Sequence, residues 1–376
     1  MKVVFIYADT QNAPNCSLFN CLYPNKAINK LEGHSSQAFH IDQFRENGEI
    51  VQKACLESDI IIIERNFFGD TNTLVSFYKA RNKCVAGILD DAYHLIKKNN
   101  AAFPFWNLAQ VQAHNNETGE DVRLNLVPPP LQQLRWGLRM VKGLIVPSKA
   151  LAEDWSLYTK TYRIHNYLDE ERYVGEEKLY PHEDTIWLAW SGSLSHLESF
   201  EDSGLLMAIA DTIKRFKNVR ILISGDKRVY DKIPVPEGKK IFSNFVPENQ
   251  YSNLLRSADI GIAPLVGTYD IRRSWLKFLD YAICKVPVIA SDFEPYEELG
   301  DYGLLTKNDY QSWKSNLARI IKNYPEYKQR AETTSYEFAM SQTFDRNIDK
   351  LLAVYQQIID DDYPDKEQIW HPNAIH

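Results

Sequence analysis

Short apolar runs alternate along this chain with longer segments whose apolar residues recur every three to four positions. This is the pattern of strands and helices in a parallel sheet covered on both faces. Runs at residues 3–7, 60–64, 85–89 and 143–146 predict a first series of strands, with a helix over residues 148–158 started by the Ser148 side chain. A second series falls at residues 186–190, 219–224, 240–245, 260–264 and 286–290. Two such series predict two Rossmann-like α/β domains. Between them, LDEERYVGEEKLYPHED at residues 168–184 is charged, poor in aliphatic residues and carries Gly175 and Pro181, which marks it as a linker. From about Tyr310 onward the pattern is helical. The expected division is residues 1–170, residues 171–345 and a helical tail over 346–376.

Composition narrows the function without naming it. The 376 residues are enough for two domains that each bury a core. With 43 Lys+Arg against 50 Asp+Glu, the net charge of -7 argues against a general nucleic-acid binder. Five cysteines, Cys16, Cys21, Cys55, Cys84 and Cys284, are scattered with no C-x-x-C spacing. They read as reduced thiols of a cytoplasmic protein, not as a disulfide framework or zinc site. The apolar run in MKVVFIYADTQNAPN is too short for a signal peptide, and no later run approaches the ~18 residues of a membrane span. A soluble protein is expected.

The densest chemistry lies in DIGIAPLVGTYDIRRSWLKFLDYAICKVPVIASD, residues 259–292. Arg273, Lys277, Asp280 and Cys284 follow at steps of four, three and four, so a helix through them carries all four on one face. Two cations ahead of a carboxylate suit a sugar nucleotide: the cations balance a diphosphate and the carboxylate accepts hydroxyl hydrogen bonds. The competing reading is a solvated helix with an ordinary Lys277/Asp280 pair. SGSLSH, residues 191–196, follows a predicted strand and leads toward a helix expected near Glu201 or Asp202. There Gly192 permits close backbone approach, while Ser193, Ser195 and His196 offer hydrogen bonds. The loop after the first strand, ADTQNAPNCSLFN, contains no glycine, so a dinucleotide fingerprint is absent; a Walker motif is absent too.

Two further features lie in the first half. GILDDAYHLIKKN, residues 87–99, places Asp90, Asp91 and His94 after a buried-looking strand, where they could orient a hydroxyl or take its proton, or where an aspartate could simply cap a helix. In PPPLQQLRWGLRMVKGL, residues 128–144, Arg135, Arg139 and Lys142 flank Leu131, Leu134, Leu138 and Val141. That is a basic amphipathic helix, either the solvated side of a surface helix or a contact with the phosphate of a lipid-linked acceptor or an anionic membrane face.

KFLDYAICKVPVIAS resembles the carboxyl-terminal domain of GT-B glycosyltransferases, in the retaining group that carries a Glu-x7-Glu motif ahead of "G-x-P-V-I-A-S". Asp280 stands at the second acid of that motif; Arg272 stands at the first, and Lys285 replaces the usual glycine. Arg273, Ser274 and Lys277 fit a variant found in bacterial surface-polysaccharide enzymes, and IWLAWSGSLSHLESFED, residues 186–202, resembles the same subgroup's "G-x-x-S-H" turn. The resemblance implies two Rossmann-like domains facing each other across a cleft, with the terminal helix crossing back onto the first. It implies sugar transfer with retention from a nucleotide-sugar to a glycan or lipid-linked acceptor, with no metal and no cofactor. Gly192, Ser193, His196, Arg273, Ser274, Lys277 and Asp280 are then expected at the donor, and Asp90, Asp91 and His94 at the acceptor. The alternative is a nucleotide-sugar- or glycan-binding protein that lost turnover with the acid replaced by Arg272. Hydrolysis of the sugar nucleotide is a third reading.

Overall fold

The computed structural model describes residues 1–10, 15–98, 100, 102–114, 121–193 and 196–363. The chain divides into two compact units. One comprises Met1–Asn166 together with the residues from Ile348 onward; the other is Tyr167–Asn347.

The first unit is built on strands β1 (Lys2–Tyr7), β2 (Ser35–His40), β3 (Ile60–Glu64), β4 (Cys84–Ile88), β7 (Gly143–Val146) and β8 (Thr161–Arg163), with β5 (Gln110–His114) and β6 (Asp121–Asn125) forming a separate antiparallel pair. The six strands are parallel in the order β2-β1-β3-β4-β7-β8. Every residue of β3, IIIIE, is buried, as expected of a central strand sealed on both faces. The second unit has β9 (Ile186–Gly192), β10 (Val219–Gly225), β11 (Lys240–Ser243), β12 (Ile260–Ala263), β13 (Val288–Ser291) and β14 (Leu304–Thr306), parallel in the order β11-β10-β9-β12-β13-β14. Trp190, Phe200 and Trp313 lie fully buried in its core with the aliphatic residues of β9, β10 and β12.

In each sheet the chain starts in the interior, runs outward to one side and then returns to the other side of its first strand. The direction reverses between β1 and β3 and again between β9 and β12, and such reversals open a crevice at the carboxyl ends of the strands.

All the strands expected from the apolar runs are present, with no end shifted by more than two residues. The helix over 148–158 is Lys149–Trp155, its Ser148 oxygen accepting the Leu151 N–H at 3.2 Å. Residues 168–184 differ from a free linker. Leu168 bridges Thr343, Tyr173 is buried, and the His182 ring stacks on Trp187 at 4.3 Å, all within the second unit. Aromatic rings interspersed with charges supply the packing that aliphatic residues usually give. The basic helix is Pro130–Met140, burying Leu131, Leu134 and Leu138. Lys142 lies beyond its end and donates to the Ile359 carbonyl oxygen, so the three-cation stripe is not continuous. Among the described residues no helix is long and apolar enough to cross a membrane.

Candidate functional site

The carboxyl end of β9 fixes one wall of a polar cluster in the second unit. Gly192 is required there: a Cβ would lie 2.6 Å from the Trp190 ring and 3.3 Å from the Lys277 ammonium. Gly225, at the matching end of β10 with φ of 109°, could not carry one either, since it would fall 2.2 Å from the Gly192 carbonyl oxygen. Ser193 follows, exposed; Ser195 lies outside the described residues. The helix after this loop is Leu197–Asp202, six residues starting earlier than Glu201, which is too short for its amino terminus to serve as an anion site.

The opposite wall is the turn after β12. The helix expected to carry Arg273, Lys277, Asp280 and Cys284 on one face is only Leu276–Ile283, so Arg273 and Ser274 precede it and Cys284 caps it. Ser274 is half-buried in that turn. Arg273 is positioned by a residue that the spacing argument passed over: Asp270, buried, accepts the Arg273 Nε–H at 2.7 Å, the Ser199 hydroxyl at 2.6 Å and the Val266 N–H at 2.8 Å. Its i,i+3 spacing from Arg273 was the available signal.

Arg273 Nη1 lies 3.2 Å from His196 Nε2. The guanidinium can only donate, so Nε2 accepts and the imidazole proton is assigned to Nδ1, which is buried with no hydrogen-bond partner among the described residues. Burial, with Arg273 and then Lys277 nearby, holds the His196 pKa well below the ordinary histidine value, so the ring is neutral at pH 7. Lys277 donates to the Ser191 carbonyl oxygen, and its ammonium lies 5.2 Å from the Trp190 ring centroid. Burial lowers its pKa to about 8; Asp280 opposes the shift and Arg273 adds to it. Gly192, His196, Arg273 and Lys277 are thus brought together by two segments far apart in the sequence. The cluster presents two cations and a neutral imidazole.

Asp280, on the same helix as Lys277, is buried and accepts hydrogen bonds from the hydroxyls of Tyr173 and, at 2.9 Å, Tyr251. Burial and then the Asp280 charge push both phenols well above the ordinary tyrosine range, so both remain donors at any working pH.

In the first unit the corresponding strand ends hold carboxylates. Glu64, at the end of β3, is fully buried and accepts the Ala8 N–H at 2.8 Å, the Ser17 hydroxyl and the Asn20 amide at 2.9 Å. Arg65 contacts Asp9 and lies 3.6 Å from Glu64 and 3.9 Å from Asp90. Asp90 accepts the Tyr93 hydroxyl at 2.6 Å. The three residues expected to act together do not converge. Asp91 accepts the N–H of the next residue, Ala92, at 3.1 Å, and His94 Nε2 lies 3.0 Å from Asp154 Oδ2 with its ring edge-on to Trp155. The helix-cap alternative is not formed either, since Ala92 occupies the cap of the short Tyr93–Leu95 turn. Asp90 belongs instead with Asp9, Glu64 and Arg65, a grouping invisible in the sequence because it spans three strands.

Comparison with known proteins agrees with this architecture. No curated protein sequence matches the chain. Solved structures do. HepE of Anabaena, crystallised with UDP and glucose, is 15% identical over 95% of this chain and 99% of its own, with a TM-score of 0.60. The amino-terminal domain of Candida albicans trehalose-6-phosphate phosphatase is 9% identical over 95% and 99%, with a TM-score of 0.59. Sucrose-phosphate synthase of Thermosynechococcus elongatus is 10% identical over the same shares, with a TM-score of 0.57. At such identities these likenesses establish the fold. The chain has the two-domain Rossmann-like α/β architecture of GT-B proteins, and its residues 188–323, which hold the Arg273–His196–Lys277 cluster, match the family described as Glycosyl transferases group 1.

Proposed function

We propose that this protein transfers a sugar, with retention at the anomeric carbon, from a nucleotide-sugar to a glycan or lipid-linked acceptor in surface-polysaccharide synthesis at the cytoplasmic side of a membrane. The observation that carries the reading is the cationic cluster of Arg273 and Lys277 around neutral His196. It sits beside the β9/β12 crevice inside the segment that matches a glycosyltransferase family. In this reading Arg273 and Lys277 hold the diphosphate and stabilise the charge that develops on it as the glycosidic bond breaks, so neither a protein nucleophile nor a metal is required. Being held in place by Asp270 and by the Ser191 carbonyl, the two cations need little reorganisation. His196 Nδ1 offers a neutral donor, and Gly192 and Ser193 give the backbone room. Each Asp280 oxygen has accepted one phenol and retains capacity for a ribose hydroxyl. Asp90, Asp91 and His94 are proposed on the acceptor side, with Asp90 the foremost because Arg65 and Tyr93 orient it.

One observation favours a second reading, a nucleotide-sugar-binding protein without turnover. Arg272 stands where an acid is expected, and the carboxylate two residues earlier, Asp270, is already engaged by Ser199, Val266 and Arg273. Calorimetry against UDP, GDP and their glucose conjugates tests the shared premise, and UDP goes first because HepE was crystallised with it. Binding followed by sugar transfer to an acceptor panel supports the enzyme. Binding with neither transfer nor hydrolysis supports the binder, and no binding to any nucleotide removes both.

A further inference from the structure

A cavity of about 520 Å³ lies at the other end of the second sheet, away from the cluster described above. Its wall includes Ala258 and Asp259, which lead into β12, and Lys285 and Val286, which lead into β13, so it opens at the amino ends of strands in the sheet whose carboxyl edge holds Gly192 and Arg273. Helices Tyr324–Arg330 and Tyr336–Ser341 complete it.

The charges of this cavity are unevenly compensated. Asp259 is fully engaged: it accepts the Trp187 N–H at 2.8 Å and the Tyr324 hydroxyl at 3.3 Å, with His182 at 3.5 Å and Lys178 at 3.9 Å. Lys328 has Glu332 at 3.3 Å. Lys285 and Arg256 differ, for neither has a carboxylate within 4 Å among the described residues. The Lys285 ammonium lies over the Tyr336 ring, 4.7 Å from its centroid. Arg256 donates Nη2 to the Tyr173 carbonyl oxygen, and its Nη1 is buried with no acceptor among the described residues. Glu170 and Glu176 also line the cavity but are solvent-exposed.

Lys285 stands in an unfavourable backbone position. It follows the cap of helix Leu276–Ile283, where its N–H donates to the Ala282 carbonyl and the Val286 N–H to the Tyr281 carbonyl, both at 3.0 Å, with φ of 58°. That closure favours glycine, since a Cβ is strained in the left-handed region. A lysine here adds strain and places an uncompensated cation in the cavity wall.

We propose that this cavity is a second ligand site, for a small organic oxyanion on a flat apolar body. Lys285 and Arg256 take the phosphate or carboxylate group, and the Tyr336 ring with Ile283, Val286 and Met340 takes the body. The test titrates the full chain with phenyl phosphate, benzoate and inorganic phosphate by calorimetry. Saturable one-to-one binding of phenyl phosphate or benzoate is expected, at least tenfold tighter than inorganic phosphate, and whichever aryl anion binds identifies the oxyanion. Lys285→Gly, which removes the cation and relieves the backbone, should weaken that binding at least tenfold while leaving UDP affinity unchanged; Arg256→Gln should act likewise on the aryl anion. No saturable binding of either aryl anion overturns the proposal. So does binding that survives Lys285→Gly, including binding abolished only by Lys277→Ala, which would assign the anion to the cluster at the strands' carboxyl ends.

Discussion

The two sheets place their polar chemistry at equivalent points, the strand ends beside each chain reversal, yet with opposite sign. In the first unit a single guanidinium, Arg65, is surrounded by Asp9, Glu64 and Asp90. In the second, one buried carboxylate, Asp270, holds Arg273 beside a neutral imidazole, and Lys277 reaches the same strand end. The backbone does not dictate the sign, because parallel strands present only loop residues there. What differs is what the charges can do next. The acidic group is mostly turned inward: Glu64 has no exposed surface and both its oxygens are used locally. The basic group keeps a depressed lysine pKa and an imidazole N–H with no partner among the described residues, both of which an arriving anion would relieve.

If Glu64 is the internal anchor of its edge, its removal should produce the largest stability change. Glu64→Ala leaves Arg65 partly uncompensated and strands the Ala8 N–H, the Ser17 hydroxyl and the Asn20 amide, a loss of about 3–5 kcal/mol read as a lower urea midpoint. The pH dependence carries a sign as well. Burial raises the Glu64 pKa above the ordinary value, with Asp90 adding to the rise and Arg65, Ser17 and Asn20 opposing it. Between the ordinary value and the raised one the folded chain holds a proton that the unfolded chain has released, so stability falls as pH rises through that window. Glu64→Ala should lack that slope. A midpoint unchanged by the substitution would put Glu64 on the same footing as a surface acid and erase the contrast between the edges.

The next effect in size concerns the basic edge. Lys277→Ala should weaken UDP binding about 10- to 100-fold, the equivalent of roughly 1.5–3 kcal/mol for a charge-assisted contact, while Asp90→Asn should change it less than twofold. Calorimetry on both variants decides. Equal losses would mean that the nucleotide depends on both edges alike, and the division of labour by charge would fail.

How much of this contrast was legible beforehand depended on the range of the contacts. Gly192, His196, Arg273 and Lys277 were identifiable because each sits in a segment with its own local signal: a small-residue turn after an apolar strand, or a run of cations near a helix start. The internal strands were equally legible, since burial on both faces writes continuous apolar runs such as IIII in β3. Of the edge strands, β11 was legible but β2, SSQAFH, β8, TYR, and β14, LLT, were not, because each is polar, short or both. Helix length was overread: Arg273 fits the helical spacing, but the helix starts at Leu276. The grouping of Asp9, Glu64, Arg65 and Asp90 was hidden, since three separate strands bring it together. The contact of His94 with Asp154, sixty residues away, was hidden for the same reason.

A smaller effect follows from the Lys277 pKa. With a value near 8 in the free protein, the ammonium is mostly charged at pH 7 and mostly neutral at pH 9. If the charged form is the one that holds a diphosphate, UDP affinity should fall about tenfold between these two pH values, and binding near pH 8 should take up a fraction of a proton. Titrations in two buffers of different ionisation enthalpy measure that uptake. His196, already neutral, should add no dependence between pH 6 and 7. A flat profile to pH 9 would show that the guanidinium of Arg273 alone supplies the attraction and that Lys277 serves only to tie down the Ser191 carbonyl.

The smallest expected effect is none at all, and it bears on why the signs differ. A diphosphate needs its charge balanced either by a divalent ion or by fixed cations, and an edge carrying Arg273 and Lys277 already provides the second solution. UDP affinity should therefore agree within about twofold in excess EDTA and in millimolar Mg²⁺. If binding appeared only with the ion, the two cations would be insufficient, and carboxylates would have to enter the donor site to hold the metal. Asp280 would be the first candidate, at the cost of its bonds from Tyr173 and Tyr251. The opposition between a basic and an acidic edge would then be a difference of degree. Persistence in EDTA, with Lys277→Ala weakened equally in both conditions, would instead tie the sign of the second edge to its work, because no ion then stands between the nucleotide and the side chains.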